Sequence, residues 1–343
     1  MSRHYLVTGG AGFIGSNYVA RLLQRGDRVT VYDNLSRAGA SLNLEWLRQS
    51  YGPDAFHLVV GDVRDAALVT AAARDADVII HLASQVAVTT SVLHPREDFD
   101  INAVGTFNVL EAARLSGRRP IFLYASTNKV YGGMEEVGIA EKETCYQYAD
   151  RPQGIPETQP LDFHSPYGCS KGSGDQYVRD YFRIYDLPTV VMRQSCIYGP
   201  RQFGIEDQGW VAWFVIAVIT GRQISIYGDG KQVRDVLYVD DLLDAYDAAI
   251  GGIEVSAGQV YNLGGGPSNT ISVWREFGPM LEHLANRKIE VEFGDWRPGD
   301  QRLYVSDISK AGRELGWIPK VDVEEGVKRL FDWVRANRHY FPG

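Results

Sequence analysis

The stretch His4-Tyr-Leu-Val-Thr-Gly-Gly-Ala-Gly-Phe-Ile-Gly15 decides how the rest of the chain is read. Tyr5 to Val7 is a short apolar run that predicts a buried strand, and it leads into Gly9, Gly12 and Gly15. Phe13 and Ile14 then open a segment with helical apolar spacing. Strand, glycine turn and helix make a cradle for a dinucleotide. Without Cβ atoms the backbone turns sharply and approaches a pyrophosphate, while the free N–H groups and positive end of the helix favour phosphate charge. A second strand, Arg28 to Tyr32, ends at Asp33, whose carboxylate can accept bonds from the adenosine ribose hydroxyls. That charge repels a 2′-phosphate, so NAD is expected over NADP. Asn34, Ser36 and Arg37 border the same site, and Arg37 alone speaks for the phosphate.

A chain of 343 residues can bury a large core and form one big or two unequal domains. Its 35 basic and 43 acidic residues give a formal charge of −8, and no dense Lys/Arg block appears. General binding to nucleic acid or to an acidic membrane is therefore not expected. Cys145, Cys169 and Cys196 are far apart and lack metal-ligand spacing, so they read as reduced thiols with no metal. No signal-peptide core and no apolar run of roughly 18 residues is present, and the expectation is a cytoplasmic protein.

Strand and helix candidates alternate after Asp33. Strands are expected at Phe56 to Val60, Val78 to Ala83, Ile121 to Ala125 and Thr189 to Met192; helices at Leu42 to Tyr51, Ala66 to Arg74, Pro95 to Ser116 and Pro166 to Tyr185. Such alternation predicts an α/β fold with a doubly wound parallel sheet. Right-handed crossovers then bring Thr8, Asp33, Asp62, Ala83 and Ser126 to one crevice. Beyond Arg193 glycine and proline turns interrupt shorter elements, which reads as a smaller substrate lobe. Residues 1–192 and 236–265 are assigned to the dinucleotide-binding domain, 193–235 and 266–343 to the other. Helices are expected near Gly209 to Thr220, Val239 to Ile250, Ser272 to Leu284 and Val323 to Arg335, and a long loop from Tyr131 to Leu161.

Ser165-Pro166 is a helix start, and Tyr167 and Lys171 follow four apart on one face. A phenol near pKa ~10 is a poor base at neutral pH, but an adjacent ammonium and a helix N-terminus favour the phenolate. Tyr167 could then take the proton of an alcohol that is being oxidised. Thr127, at the end of the fifth strand, is the candidate to orient that alcohol, and Ser126 is its structural alternative.

Gly9-x-x-Gly12-x-x-Gly15, Asp62, His81-Leu-Ala83, Asn102, Thr127, Tyr167-x-x-x-Lys171, Arg193, Tyr198-Gly-Pro200 and Gly230-Lys-Gln-Val-Arg-Asp235 occur in this order along the whole chain. In them the chain resembles the extended short-chain dehydrogenases/reductases, in the branch of nucleotide-sugar epimerases and dehydratases. The resemblance implies that Asp62 and Val63 bracket the adenine, that Leu82, Ala83, Gln85 and Asn102 belong to the cofactor set, and that Thr127, Tyr167 and Lys171 are catalytic.

Two departures bear on the reaction. Dehydratases of this family carry acids just after the catalytic Thr or Ser, whereas Asn128 and Lys129 stand here, so elimination of water is not expected. Many 4-epimerases have Asn where this chain has Cys196. The segments Ser126-Thr-Asn-Lys-Val-Tyr131, Leu161-Asp-Phe-His-Ser-Pro-Tyr-Gly-Cys-Ser-Lys171, Arg201-Gln-Phe203, Asp207-Gln-Gly-Trp-Val-Ala-Trp-Phe214 and Gly230-Lys-Gln-Val-Arg-Asp-Val236 narrow the resemblance to epimerases acting at C2 of CDP-hexoses such as CDP-paratose and CDP-tyvelose. This implies transient oxidation to a 2-keto sugar and return of hydrogen to the opposite face. A UDP-hexose 4-epimerase and a catalytically silent NAD-binding sensor are the rival readings.

Arginines suit the diphosphate, and Arg201, Arg234 and Arg297 are the candidates, with Lys231 and Gln208 outside them. Each is also readable as a solvated surface residue, Arg234 less so than the others. His164 could touch substrate or serve the helix start; Trp210 and Trp213 read as packing. The resemblance also implies a homodimer, or a homotetramer, through the helices near 95–116 and 166–185.

Overall fold

The computed structural model describes residues 2–296 and 301–341. Parallel strands form a seven-stranded sheet in the order Val260–Leu263, Thr189–Gln194, Ile121–Thr127, Val78–His81, His4–Thr8, Arg28–Asp33 and His57–Val60. This is the expected doubly wound α/β arrangement with one strand added, Val260–Leu263. Side chains of the first strand show how it is built. Tyr5 and Val7 join a core with helices Phe13–Gln24 and Ala40–Tyr51, while Leu6 joins another with helices Ala66–Ala73 and Gly105–Leu115. Both faces are covered, which is why the strand is an unbroken apolar run.

Strand order reverses between His4–Thr8 and Val78–His81, and the crevice opens at the carboxyl ends beside that point. Asp33, Asp62, Ala83 and Ser126 line it. Thr8, expected with them, is fully buried behind it. Its hydroxyl bonds His81 Nδ1 at 2.7 Å and accepts from the Ala83 N–H at 3.3 Å. Burial pushes His81 down to about 3, so this clamp between neighbouring strands is neutral.

The helix expected from Pro95 to Ser116 is divided into Pro95–Phe99, a π-helical turn Asp100–Val104, and Gly105–Leu115. Such turns recur at functional sites. Here the turn carries Asn102.

In the second lobe the strand Val233–Tyr238 is the hub. It pairs in parallel with Cys196–Tyr198 and Leu303–Tyr304 and antiparallel with Thr270–Ser272. Two expected domain boundaries, 192/193 and 235/236, fall inside Thr189–Gln194 and Val233–Tyr238, because a hydrogen-bonded ladder continues across each. Helices form at Trp210–Thr220, Val239–Gly251 and Val323–Ala336, within a residue of expectation. The helix expected from Ser272 begins only at Phe277, since Thr270–Ser272 is in the ladder and Ser272 Oγ accepts from the Glu276 N–H. The loop expected over Tyr131 to Leu161 contains a hairpin of Ile139–Glu141 and Tyr146–Tyr148. Among the described residues no helix is long and apolar enough to cross a membrane, and no cluster of His, Cys, Asp and Glu could hold a metal ion.

Candidate active site

A cavity of about 370 Å³ runs along the crevice from Asp33 to Tyr167. Its floor is the glycine turn. Gly9 has φ +69°, and a Cβ there would lie 2.8 Å from the Ala83 nitrogen, so only glycine lets the two strand ends close up. Asp33 fixes the turn from the next strand: its Oδ2 accepts from the Ala11 N–H at 3.0 Å and its Oδ1 from the Leu35 N–H at 2.8 Å. Burial pushes this carboxyl up, and the two backbone donors oppose that. Asp62 is instead held well below the usual carboxylate range by the Arg64 guanidinium, and Asn34 Nδ2 donates to it at 3.0 Å.

Gly12, Phe13, Ile14, Gly15, Ser36, Arg37, Val63, Leu82 and Gln85 lie on the same wall. Asn102, expected to touch the cofactor, is buried behind it. Its Oδ1 accepts from the Gln85 N–H at 2.9 Å and from Ser84 Oγ at 2.8 Å, and its Nδ2 donates to Gln85 O at 3.0 Å. Asn102 therefore shapes the loop that forms the wall. A cradle that a Cβ would fill, a helix N-terminus behind it and a buried acid at the second strand end fit NAD.

Tyr167 and Lys171 close the far end of the cavity. Their helix, Ser165–Tyr185, begins where the Ser165 hydroxyl accepts from the Gly168 N–H at 3.2 Å, and Ser91 Oγ accepts from the Tyr167 N–H at 3.1 Å. Burial pushes the Tyr167 phenol up to about 12, against a hydrogen bond from Thr127 that lowers it. Lys171 Nζ donates to the Ala125 carbonyl at 2.7 Å and stands 4.3 Å from the Tyr124 ring centroid. Burial pushes this ammonium down to about 7, and the charges of Asp175 and Asp98 resist the fall. Ser126, the alternative to Thr127, has its hydroxyl committed to Asp175 Oδ2 at 2.8 Å. Asp175 in turn takes both arms of Arg193, each at 2.9 Å.

Of the residues expected at the substrate, Arg201 and Gln208 line the cavity and Thr127 faces Tyr167. Arg201 is already engaged, donating to Asn17 Oδ1 and lying 4.0 Å from the Trp46 ring centroid, on the cofactor side. Asn128 is buried, and Lys129 Nζ donates to Gln301 Oε1 at 3.1 Å. Arg234 donates to the carbonyls of Val233 and Gln301, and its charge, like that of Lys129, reaches the Cys196 thiol. The structure does not bring Lys231 or His164 to this cluster: Lys231 Nζ pairs with Glu141 at 2.7 Å, and His164 is an exposed residue before the helix. Arg297 lies outside the described residues. Gln194, Gln202 and Phe203 also line the cavity and were not assigned to it; Gln202 and Phe203 follow the Tyr-Gly-Pro-Arg turn directly and belong to the Arg201-Gln-Phe203 segment that carries the resemblance.

Residues 6–330 match the family described as GDP-mannose 4,6 dehydratase. The chain belongs to that family. Within it the chain is similar to CDP-paratose 2-epimerase of Salmonella typhi, 44% identical over 340 residues that cover 96% of this chain and 99% of the relative. Among solved structures, the fold is similar to UDP-glucose 4-epimerase of Thermotoga maritima with UDP-glucose, at a TM-score of 0.83 and 32% identity, covering 98% and 99% of the two chains. It is likewise similar to UDP-glucose 4-epimerase of Thermus thermophilus in complex with NAD, at a TM-score of 0.80 and 33% identity over 97% and 99%. These family members match the chain through both lobes, so the dinucleotide cradle and the second lobe belong to one enzyme architecture.

Proposed function

We propose that this isomerase, an NAD-dependent nucleotide-sugar epimerase, inverts C2 of a CDP-hexose such as CDP-paratose or CDP-tyvelose. When bound, NAD supplies a reversible two-electron oxidant for the sugar carbon. The lobe of the seven-stranded sheet holds that cofactor, and the lobe built around Val233–Tyr238 completes the site for the sugar nucleotide. Thr127 orients the C2 hydroxyl between itself and Tyr167. Tyr167, as phenolate, takes the hydroxyl proton and later gives it back to the oxygen of the inverted carbon. Lys171 favours that phenolate by its charge, fixed in place by the Ala125 carbonyl. Because substrate and product are alcohols of the same redox level, no outside reductant is needed.

The observation that carries the reading is the near full-length similarity to CDP-paratose 2-epimerase in a chain with Thr127, Tyr167 and Lys171 intact and Asn128-Lys129 where an eliminating acid would stand. A UDP-hexose 4-epimerase is the second reading, supported by the likeness to the Thermotoga maritima enzyme; Cys196 in place of Asn speaks against it. Incubation with CDP-paratose, CDP-tyvelose, CDP-glucose and UDP-glucose, followed by assignment of product stereochemistry by NMR, tests the choice. Turnover of the UDP sugar alone, with inversion at C4, would overturn it.

The enzyme acts as a homodimer in the cytoplasm. Exposed Phe99, Val104 and Phe107 lie along the helices Pro95–Leu115, and exposed Tyr177, Ile184 and Tyr185 along Ser165–Tyr185, an apolar face suited to a second copy. The three free cysteines accord with a reducing compartment.

A further inference from the structure

Asp98, on Pro95–Phe99, is a fully buried carboxylate that the reaction described above leaves unused. Its Oδ2 accepts from Ser170 Oγ at 2.5 Å, and its Oδ1 accepts from Asn102 Nδ2 at 3.1 Å. Ser170 precedes Lys171 on the catalytic helix, while Asn102 braces Ser84 and Gln85 of the cofactor wall. Both donors are neutral, and among the described residues no cationic side chain pairs with the carboxylate. Burial pushes its carboxyl up; the Ser170 bond and the charge of Lys171 hold it down. A charge in that position needs an opposite one within reach.

Lys171 has the matching need, since its buried ammonium bonds only the neutral carbonyl of Ala125. Two carboxylates act on it: Asp175, one turn along its own helix, and Asp98, from Pro95–Phe99. They differ in what else they hold. Asp175 takes both arms of Arg193, so a second buried cation already balances it. Asp98 has no such partner. The other titratable groups around the two carboxylates cannot substitute for Asp98: His81 and Tyr124 are neutral, Glu97 is exposed, and Asp100 pairs with Arg96. At Tyr167 the charge of Asp98 is the smallest of three influences on the phenol, after burial and the Thr127 bond. We infer that Asp98 is a positioning residue for the reaction: held between Ser170 and Asn102, it supplies the uncompensated negative charge that keeps Lys171 an ammonium beside Tyr167. The inference rests on the roles proposed for Tyr167 and Lys171, and not on which sugar carbon is inverted.

Asp98→Asn removes the charge and keeps the shape. Its amide oxygen can accept from Asn102 while its NH2 donates to Ser170 Oγ, whose hydroxyl then turns to the Tyr167 carbonyl at 3.2 Å. Lys171 is followed directly by carbon NMR of isotope-labelled lysine Cε in the NAD-loaded protein, from about pH 5 to 10, with Lys171→Met assigning its signal. In Asp98→Asn the Lys171 titration moves down by about one pH unit, and in Asp98→Glu, which keeps a carboxylate, it stays near its wild-type place. An unmoved titration in Asp98→Asn, or an equal displacement in Asp98→Glu, would overturn the inference. Should Asp98→Asn fail to fold, Asp98→Ser, smaller and equally uncharged, replaces it. This readout needs no sugar, so it stands apart from the choice of C2. The alkaline limb of kcat, measured with the sugar nucleotide that the wild-type protein turns over, moves down with Lys171. If the titration moves and the limb does not, the role given to the Lys171 charge in turnover fails, and Asp98 remains the group that keeps it charged.

Discussion

Lys171 Nζ donates to the carbonyl of Ala125 at 2.7 Å, which ties the helix bearing Tyr167 to the strand bearing Thr127. Burial draws this ammonium down to about 7, against the charges of Asp175 and Asp98.

Tyr167→Phe removes the proposed proton carrier and leaves the cavity wall nearly the same shape. Turnover should fall by about a thousandfold, within the range for loss of a general acid–base, while NAD affinity changes by less than about twofold. Steady-state kinetics and a fluorescence titration check the two halves.

Lys171 also makes stability depend on pH. Its folded value, about 7, lies below its ordinary 10.5, so between these limits the unfolded chain holds a proton that the folded one has released. Stability from this group therefore rises with pH across that window, by at most about 1.4 kcal/mol per pH unit. Urea denaturation at pH 7 to 10 should show the rise in the wild-type protein and a flatter profile in Lys171→Met.

Arg193 and Asp175 form an ion pair with 2% and 0% of their side chains exposed. Arg193→Met strands a buried carboxylate and should cost about 3–5 kcal/mol, measurable as a lowered urea midpoint. Because Asp175 also holds Ser126, beside Thr127, kcat should drop in the protein that still folds.

Gly9→Ala puts a methyl group against the Ala83 nitrogen at a residue with φ +69°. NAD affinity should fall by more than about tenfold, since the cradle must open, and the melting temperature should drop with it. Isothermal titration and a thermal melt read both effects.

The sheet was legible because its strands are apolar runs closed by Gly9, Asp33, Gly61-Asp62 and Ala83, and because each is followed by helical spacing. Val260–Leu263 was less so. It carries Tyr261 and Asn262 within only four residues and adds to the sheet across a long crossover, a non-local pairing that no local pattern announces. Spacing along one helix and one strand end grouped Thr127, Tyr167 and Lys171, and the structure brings them to one end of the cavity. The placement of the candidate diphosphate-binding cations was not legible, since partners distant in sequence decide where a long basic side chain goes: Asn17 and Trp46 draw Arg201 to the cofactor side, and Glu141 holds Lys231 outside. Asn102 was assigned to the cofactor by order along the chain, and its place behind the wall follows from the π-helical turn that sequence periodicity does not reveal.

The most direct test follows the hydrogen at the inverted carbon. A CDP-hexose deuterated at C2 and turned over in ordinary water should give product that keeps the deuterium at C2 on the opposite face. Replacement of that deuterium by solvent hydrogen during inversion would contradict an oxidation and return within one site.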